Sequence, residues 1–135
     1  MVPYTSDGLF LLLRRRDPDD FWQSVTGSLR PGEGARSAAL RELREETGLL
    51  GAAYIRDLCQ SRLFRIAPAW RARYAPGACF NREHWFALPL PERRLIRLNP
   101  AEHLEYEWLP AHRAAARATS WTNRDAIRRL SGQGW

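Results

Sequence analysis

Cysteine is scarce in this chain and lysine is absent. The two cysteines among 135 residues, Cys59 and Cys79, are too few for a disulfide framework and lack metal-ligand spacing, so both read as free thiols buried in the core. No apolar run approaches membrane-spanning length, since Gly8 to Leu13 is far too short, and no membrane partner is expected. The N-terminus lacks the layout of a secretory signal, which makes the cytoplasm the expected compartment. Repeats, low-complexity stretches and interdomain linkers are missing too. Residues 1–135 therefore read as one domain, long enough to bury a core.

Without lysine, all twenty-one basic residues are arginine, against fifteen acidic ones, for a formal net charge of +6. The codon usage of a GC-rich genome accounts for the arginine bias. The charge itself also suits a polyanionic substrate or nonspecific contact with nucleic acid. No motif of a nucleic-acid-reading module accompanies it, so no specific nucleic-acid partner is expected.

What the chain does contain is an acidic helix with unusual spacing. Glu42, Glu45 and Glu46 stand at i, i+3 and i+4, which puts them on one helical face. Solvated glutamates on a surface helix are one reading of that face. The other is a cation site, because clustered carboxylates repel unless something positive lies among them, and their oxygens suit hard divalent ions. At roughly 100° per residue the glutamates gather around Ala35, Ala38 and Ala39, while Leu40, Leu43 and Thr47 turn toward the core. An acidic arc lined by small residues leaves room for a ligand.

The surrounding pattern is longer. It runs Gly27, five residues, Glu33, seven residues, Arg41-Glu42, an aliphatic, any residue, Glu45-Glu46, any residue, Gly48 and an aliphatic. This resembles the Nudix box at every fixed position. The resemblance implies an α+β fold, with a mixed β-sheet sandwiched between helices, and a Mg²⁺-dependent hydrolase acting on a nucleoside diphosphate linked to another group, with Mn²⁺ as a possible substitute.

Further segments resemble one subgroup, the dihydroneopterin triphosphate diphosphatases of bacterial folate synthesis. They are Asp17 to Gly27, Arg73 to Gly77, Glu83 to Leu88, Glu102 to Leu109 and Ser120 to Ile127. The resemblance implies metal ligands at Glu42, Glu46 and Glu102. It also implies substrate contacts at Arg15, Thr26, Phe64, Arg65, Ile66, Ala67 and Ser120. Similar proteins open with a longer first strand bearing a basic residue that touches substrate. This chain opens at Met1 to Tyr4, near the end of that strand, so either the strand is short or the assigned start lies downstream of the true one. Pro3 is expected to disturb ladder pairing there.

Such chemistry needs neutralised phosphates and an activated water, both of which clustered Mg²⁺ ions supply. A carboxylate must take the water's proton. Glu102 is the first candidate, with Glu45 and Glu42 as alternatives. The expected products are dihydroneopterin monophosphate and pyrophosphate. A general nucleoside-triphosphate pyrophosphohydrolase cleansing damaged nucleotides is the alternative. A non-catalytic Nudix-like module binding nucleotide or RNA is less favoured, since a pure binder does not need every carboxylate.

Hydrophobic pattern and punctuation predict the elements. Gly8 to Arg14 reads as a buried strand, Arg14 to Asp20 as a loop and Phe21 to Thr26 as a strand. The box helix runs from about Ala35 to Thr47, ended by Gly48. Ala52 to Ile66 holds two strands or one bent strand. Ala67 to Cys79 is a loop long enough to serve substrate binding. Glu83 to Leu88 is a strand ended by Pro89 and Pro91, and Tyr106 to Leu109 is another. Pro110 opens a helix to about Arg117. Thr122 and Asp125 form a capping pair for a last helix ending near Leu130. Trp22, Trp85, Trp108 and Trp121 read as core, and His84, His103 and His112 as structural.

Overall fold

The computed structural model describes residues 1–132, apart from the side chain of Arg73. Six strands form one mixed sheet: β1 (Val2–Thr5), β2 (Leu9–Arg15), β3 (Trp22–Gln23), β4 (Arg56–Arg65), β5 (Phe80–Leu90) and β6 (His103–Pro110). β6 pairs along the whole of β2, so β1 and β3 share the other edge of β2, at Phe10 and at Leu13–Arg14 respectively. β1 then pairs in parallel with β5, and β5 pairs antiparallel with β4. The helices are α1 (Ala35–Thr47), α2 (Ala111–Arg117) and α3 (Trp121–Gly132).

β2 shows why helices cover both faces. Strand side chains alternate, and Phe10 through Leu13 are all fully buried. Phe10 and Leu12 pack with Ala114, Ala126 and Ile127 of α2 and α3. Leu11 and Leu13 pack with Leu43 of α1, Val25 and Leu88. At the end of α1, Gly48 adopts φ 77° and its amide donates to the Arg44 carbonyl at 2.9 Å, closing the helix with a left-handed cap that favours glycine.

Several expectations need correction. β3 is only two residues long because side chains replace the ladder. Thr119 Oγ1 accepts from the Trp22 amide at 2.9 Å, and Asn123 Oδ1 accepts from the Ser24 amide at 3.0 Å. Of the two forms expected within Ala52 to Ile66, the single bent strand is the one found, at residues 56–65, with its register shifting between Asp57 and Ser61. Cys59 lies in that irregular stretch at φ 53°, and Cys79 follows the turn at Gly77, so both thiols are exposed rather than buried. β5 continues through Pro89, because no β4 residue pairs beyond Ala87 and a proline there removes no ladder bond on that edge. Pro3 is likewise accommodated, opposite Leu88. The loop after β4 contains a 3-10 helix, Pro68–Arg73.

Trp22 and Trp85 are core residues, but Trp121 is 50% exposed at the start of α3. Trp108 is half-buried, its indole donating to the Arg94 carbonyl at 3.1 Å. Thr122 lies inside α3, not at its cap, and its hydroxyl shares a 2.8 Å hydrogen bond with Ser120. Asp125 reaches Arg62 and Arg129 instead of a helix amide.

Candidate active site

The three helix glutamates lie at three depths. Glu46 is 2% exposed, beside Leu43 and Thr47 on the buried face. The Glu42 side chain is 17% exposed and that of Glu45 46%, so Glu45 stands at the outer rim. Opposite Glu46, pairing with β2 fixes the start of β6. Arg15 stands in register with His103 after a bulge, and the Arg16 amide donates to the Glu102 carbonyl at 2.8 Å. One ligand atom each from Glu46, Glu102 and His103 thereby lies within 4.8 Å of the others. His103 Nε2 is 3.5 Å from Glu46 Oε1.

The electrostatics of this cluster are unbalanced. Burial, then Glu42 and Glu102, pushes the Glu46 carboxyl well above the usual carboxylate range, against the pull of the Met1 amino group and Arg15. Burial also raises Glu42, partly offset by Arg41. Burial and then Arg15 push His103 down to about 4, so its ring is neutral at neutral pH. Glu46 Oε2 and both ring nitrogens of His103 are buried without a hydrogen-bond partner. These donors fit a divalent cation, which would satisfy the orphaned oxygen and offset the carboxylate repulsion. Of the expected ligands, the structure brings Glu46 and Glu102 together. It turns Glu42 toward Arg41, whose Nη1 donates to Glu42 Oε1 at 2.6 Å.

Arg41 is the organiser that sequence reasoning passed over. Its Nε and Nη2 donate to the two carboxylate oxygens of Glu33 at 2.9 and 2.8 Å, and Nη2 also reaches the Ser28 carbonyl at 2.9 Å. This fork holds Glu33 down at about 2, with help from the Arg30 amide. The box loop is thereby tied to the helix. Glu33 and Arg41 stood in the motif as fixed positions, but their bonding needs the loop's path. His103 reads as structural in the sequence, and its place beside Glu46 follows from the β2–β6 register, which the sequence does not display.

Next to the cluster opens a cavity of about 730 Å³. Arg15, Thr26, Phe64, Arg65, Ile66, Ala67 and Ser120 all line it, together with Glu42. Arg15 belongs to the end of β2 rather than to a loop. Its guanidinium lies 5.1 Å from the Trp70 ring centroid, and its Nε donates to the Asp17 carbonyl at 2.9 Å. Trp70, on the 3-10 helix, also packs on Phe21 with centroids 5.6 Å apart. The segment read as a substrate loop therefore supplies an aromatic wall.

Comparison with known proteins places this geometry. A family model described as NUDIX domain matches residues 1–130. The dihydroneopterin triphosphate diphosphatase of Escherichia coli (strain K12) is 50% identical over 120 residues, covering 87% of this chain and 79% of that protein. The protein of the same name from Haemophilus influenzae is 36% identical over 133 residues, covering 96% and 83%. The solved structure of the E. coli dihydroneopterin triphosphate pyrophosphohydrolase superposes with a TM-score of 0.89 at 46% identity, covering 96% of this chain and 90% of that one. No helix among the described residues is long and apolar enough to cross a membrane.

Proposed function

The chain belongs to the Nudix family, and we propose that it hydrolyses dihydroneopterin triphosphate to dihydroneopterin monophosphate and pyrophosphate, with Mg²⁺ as cofactor and Mn²⁺ as a substitute. The observation that carries this reading is the junction of the acid cluster with the cavity. Glu42 and Arg15 line the cavity, and both act electrostatically on the buried Glu46. A phosphate chain entering there meets Glu42 and Arg15, while Trp70 beside Arg15, with Phe21 and Phe64, offers apolar surface to its organic group. The identities to two proteins named for this substrate support the choice of pterin over other triphosphates.

In this reading Glu46 and Glu102 hold the metal, with Glu42 as a further ligand. When bound, Mg²⁺ supplies charge neutralisation on the phosphates and a more acidic water. Arg15 binds phosphate oxygens through its guanidinium. Water attacks phosphorus, the anhydride P–O bond breaks, and pyrophosphate leaves. A carboxylate oxygen of Glu102 accepts the water's proton. Glu102 is exposed and reaches the cluster from the turn immediately before β6. Glu45 and Glu42 are alternative bases, but Glu45 faces Arg30 and Arg41 at the rim. Exposed free thiols are consistent with a reducing cytoplasm as the compartment.

The deciding experiment compares kcat/KM for dihydroneopterin triphosphate and dATP with Mg²⁺. A clear pterin preference supports the proposal. Equal or greater efficiency on dATP replaces it with a general pyrophosphohydrolase, and no turnover with either leaves a binding module.

Two substitutions test the roles. Glu102→Gln is expected to cut kcat on the order of 10²-fold or more, with the loss persisting at high Mg²⁺ and the acidic limb of the pH–rate profile gone. Rescue by added Mg²⁺ would make Glu102 a ligand and not the base. Arg15→Ala is expected to raise KM for every triphosphate tested, by a factor corresponding to roughly 1.5–3 kcal/mol for a charged hydrogen bond. A changed preference between pterin and adenine, at unchanged overall affinity, would show Arg15 reading the ring instead.

A further inference from the structure

Gln23 is the second residue of β3 and stands opposite Leu13 of β2. Cross-strand partners point the same way, so its side chain leaves the sheet on the face of Leu11, Leu13 and α1. It is 5% exposed, and its Nε2 is buried without a hydrogen-bond partner. A polar group held in this way costs folding free energy. Its neighbours Trp22 and Ser24 have their backbone amides bonded to Thr119 and Asn123. The Ser24 hydroxyl is also unpartnered, but Ser24 does not line the cavity, whereas Gln23 does.

The surroundings suit a flat heterocycle. Phe21, Trp70 and Phe64 line the same cavity and offer apolar surface. Gln23 precedes Gly27 by four residues, and Gly27 lies against the Glu42 carboxyl. Four residues span at most about 14 Å, so Gln23 lies within the reach of one small triphosphate from Glu42. A primary amide offers one donor end and one acceptor end. That pair complements a lactam edge, in which a ring N–H stands beside a ring C=O.

We propose that Gln23 is the specificity residue of this enzyme, its Nε2 donating to the ring C=O and its Oε1 accepting from the ring N–H of the substrate. The proposal takes its ring from the pterin reading above, but it applies to any triphosphate with a lactam edge.

The test measures kcat/KM of wild type, Gln23→Leu and Gln23→Met on dihydroneopterin triphosphate, GTP, dATP and inorganic tripolyphosphate, which has no ring. The ratio of the best lactam substrate to tripolyphosphate is expected to fall about tenfold to a hundredfold in both variants. Loss of the orphaned amide should also raise the Tm of the ligand-free Gln23→Met protein, which a structural role for the amide would not do. An unchanged ratio overturns the proposal, whether both activities hold or both fall by one factor. A wild type preferring GTP over the pterin would overturn the substrate reading alone, and the GTP-to-tripolyphosphate ratio would then decide Gln23.

Discussion

Glu46→Gln is expected to lose at least about 10²-fold in kcat at saturating divalent cation, while the metal-free protein becomes more stable. Glutamine keeps the shape of a protonated glutamate and removes the ability to ionise. In the fold Glu46 is buried next to Glu42 and Glu102, and its carboxyl is raised well above 4.5. Below pH 4.5 the folded and unfolded chains both keep the proton, and the substitution changes little. Above 4.5 the unfolded chain releases it while the fold retains it, so stability falls as pH rises through the raised value. His103, lowered from 6.5 to about 4, and the lowered Met1 amino group act in the opposite direction, and Glu33 adds stability that is lost only below 4.5. The His103 and Glu33 contributions are common to both proteins, and that of Met1 differs only through the lost pull of Glu46 on the amino group. The Tm gap between Glu46→Gln and wild type, both in chelator, should therefore be near zero at acid pH and widen as pH rises. Divalent cation should raise the wild-type Tm and close the gap. A variant with near-normal kcat, or a gap independent of pH, would remove Glu46 from the metal cluster.

The legible parts of this molecule were those set by local pattern. Periodicity and a glycine cap locate α1 at Ala35–Thr47, and the box spacing marks Glu42, Glu45 and Glu46 as a group. What the sequence could not display is the depth of each glutamate, because depth depends on which turn of α1 meets the sheet. It was equally silent on β3, where Thr119 and Asn123, nearly a hundred residues away, take over the ladder's hydrogen bonds. The tryptophans divide for the same reason. Trp22 and Trp85 point from strands into the layer covered by α2 and α3, whereas Trp121 opens a helix at the cavity's edge. Long-range pairing also carries His103 to Glu46, and a lone histidine in a sequence gives no sign of it.

Gly27 offers the second large effect, and its cause is contact, not backbone freedom. The sequence marks Gly27 as a fixed position of the box without showing what it touches. In the structure a Cβ at this position would overlap the Cδ, Cγ and Oε1 atoms of Glu42. The obstructed atoms are the end of a flexible side chain, so the fold can survive Gly27→Ala by moving the carboxylate. That movement must disrupt the 2.6 Å bond from Arg41 Nη1 to Glu42 Oε1 and carry a proposed ligand away from the cavity wall. A displacement near 1 Å at a reacting centre costs on the order of 10²-fold in rate, and Gly27→Ala is expected to lose about that much in kcat/KM. Tm should shift by only a few degrees, since no core atom is displaced and roughly 1 kcal/mol corresponds to 2–8 °C in domains of this size. Pairing the change with Glu42→Ala separates the explanations. If Gly27 acts through Glu42, the double variant should be no worse than Glu42→Ala alone. Fully additive losses would show that the glycine serves substrate or backbone directly, and normal activity in Gly27→Ala would show that the position of the Glu42 carboxylate does not matter to the reaction.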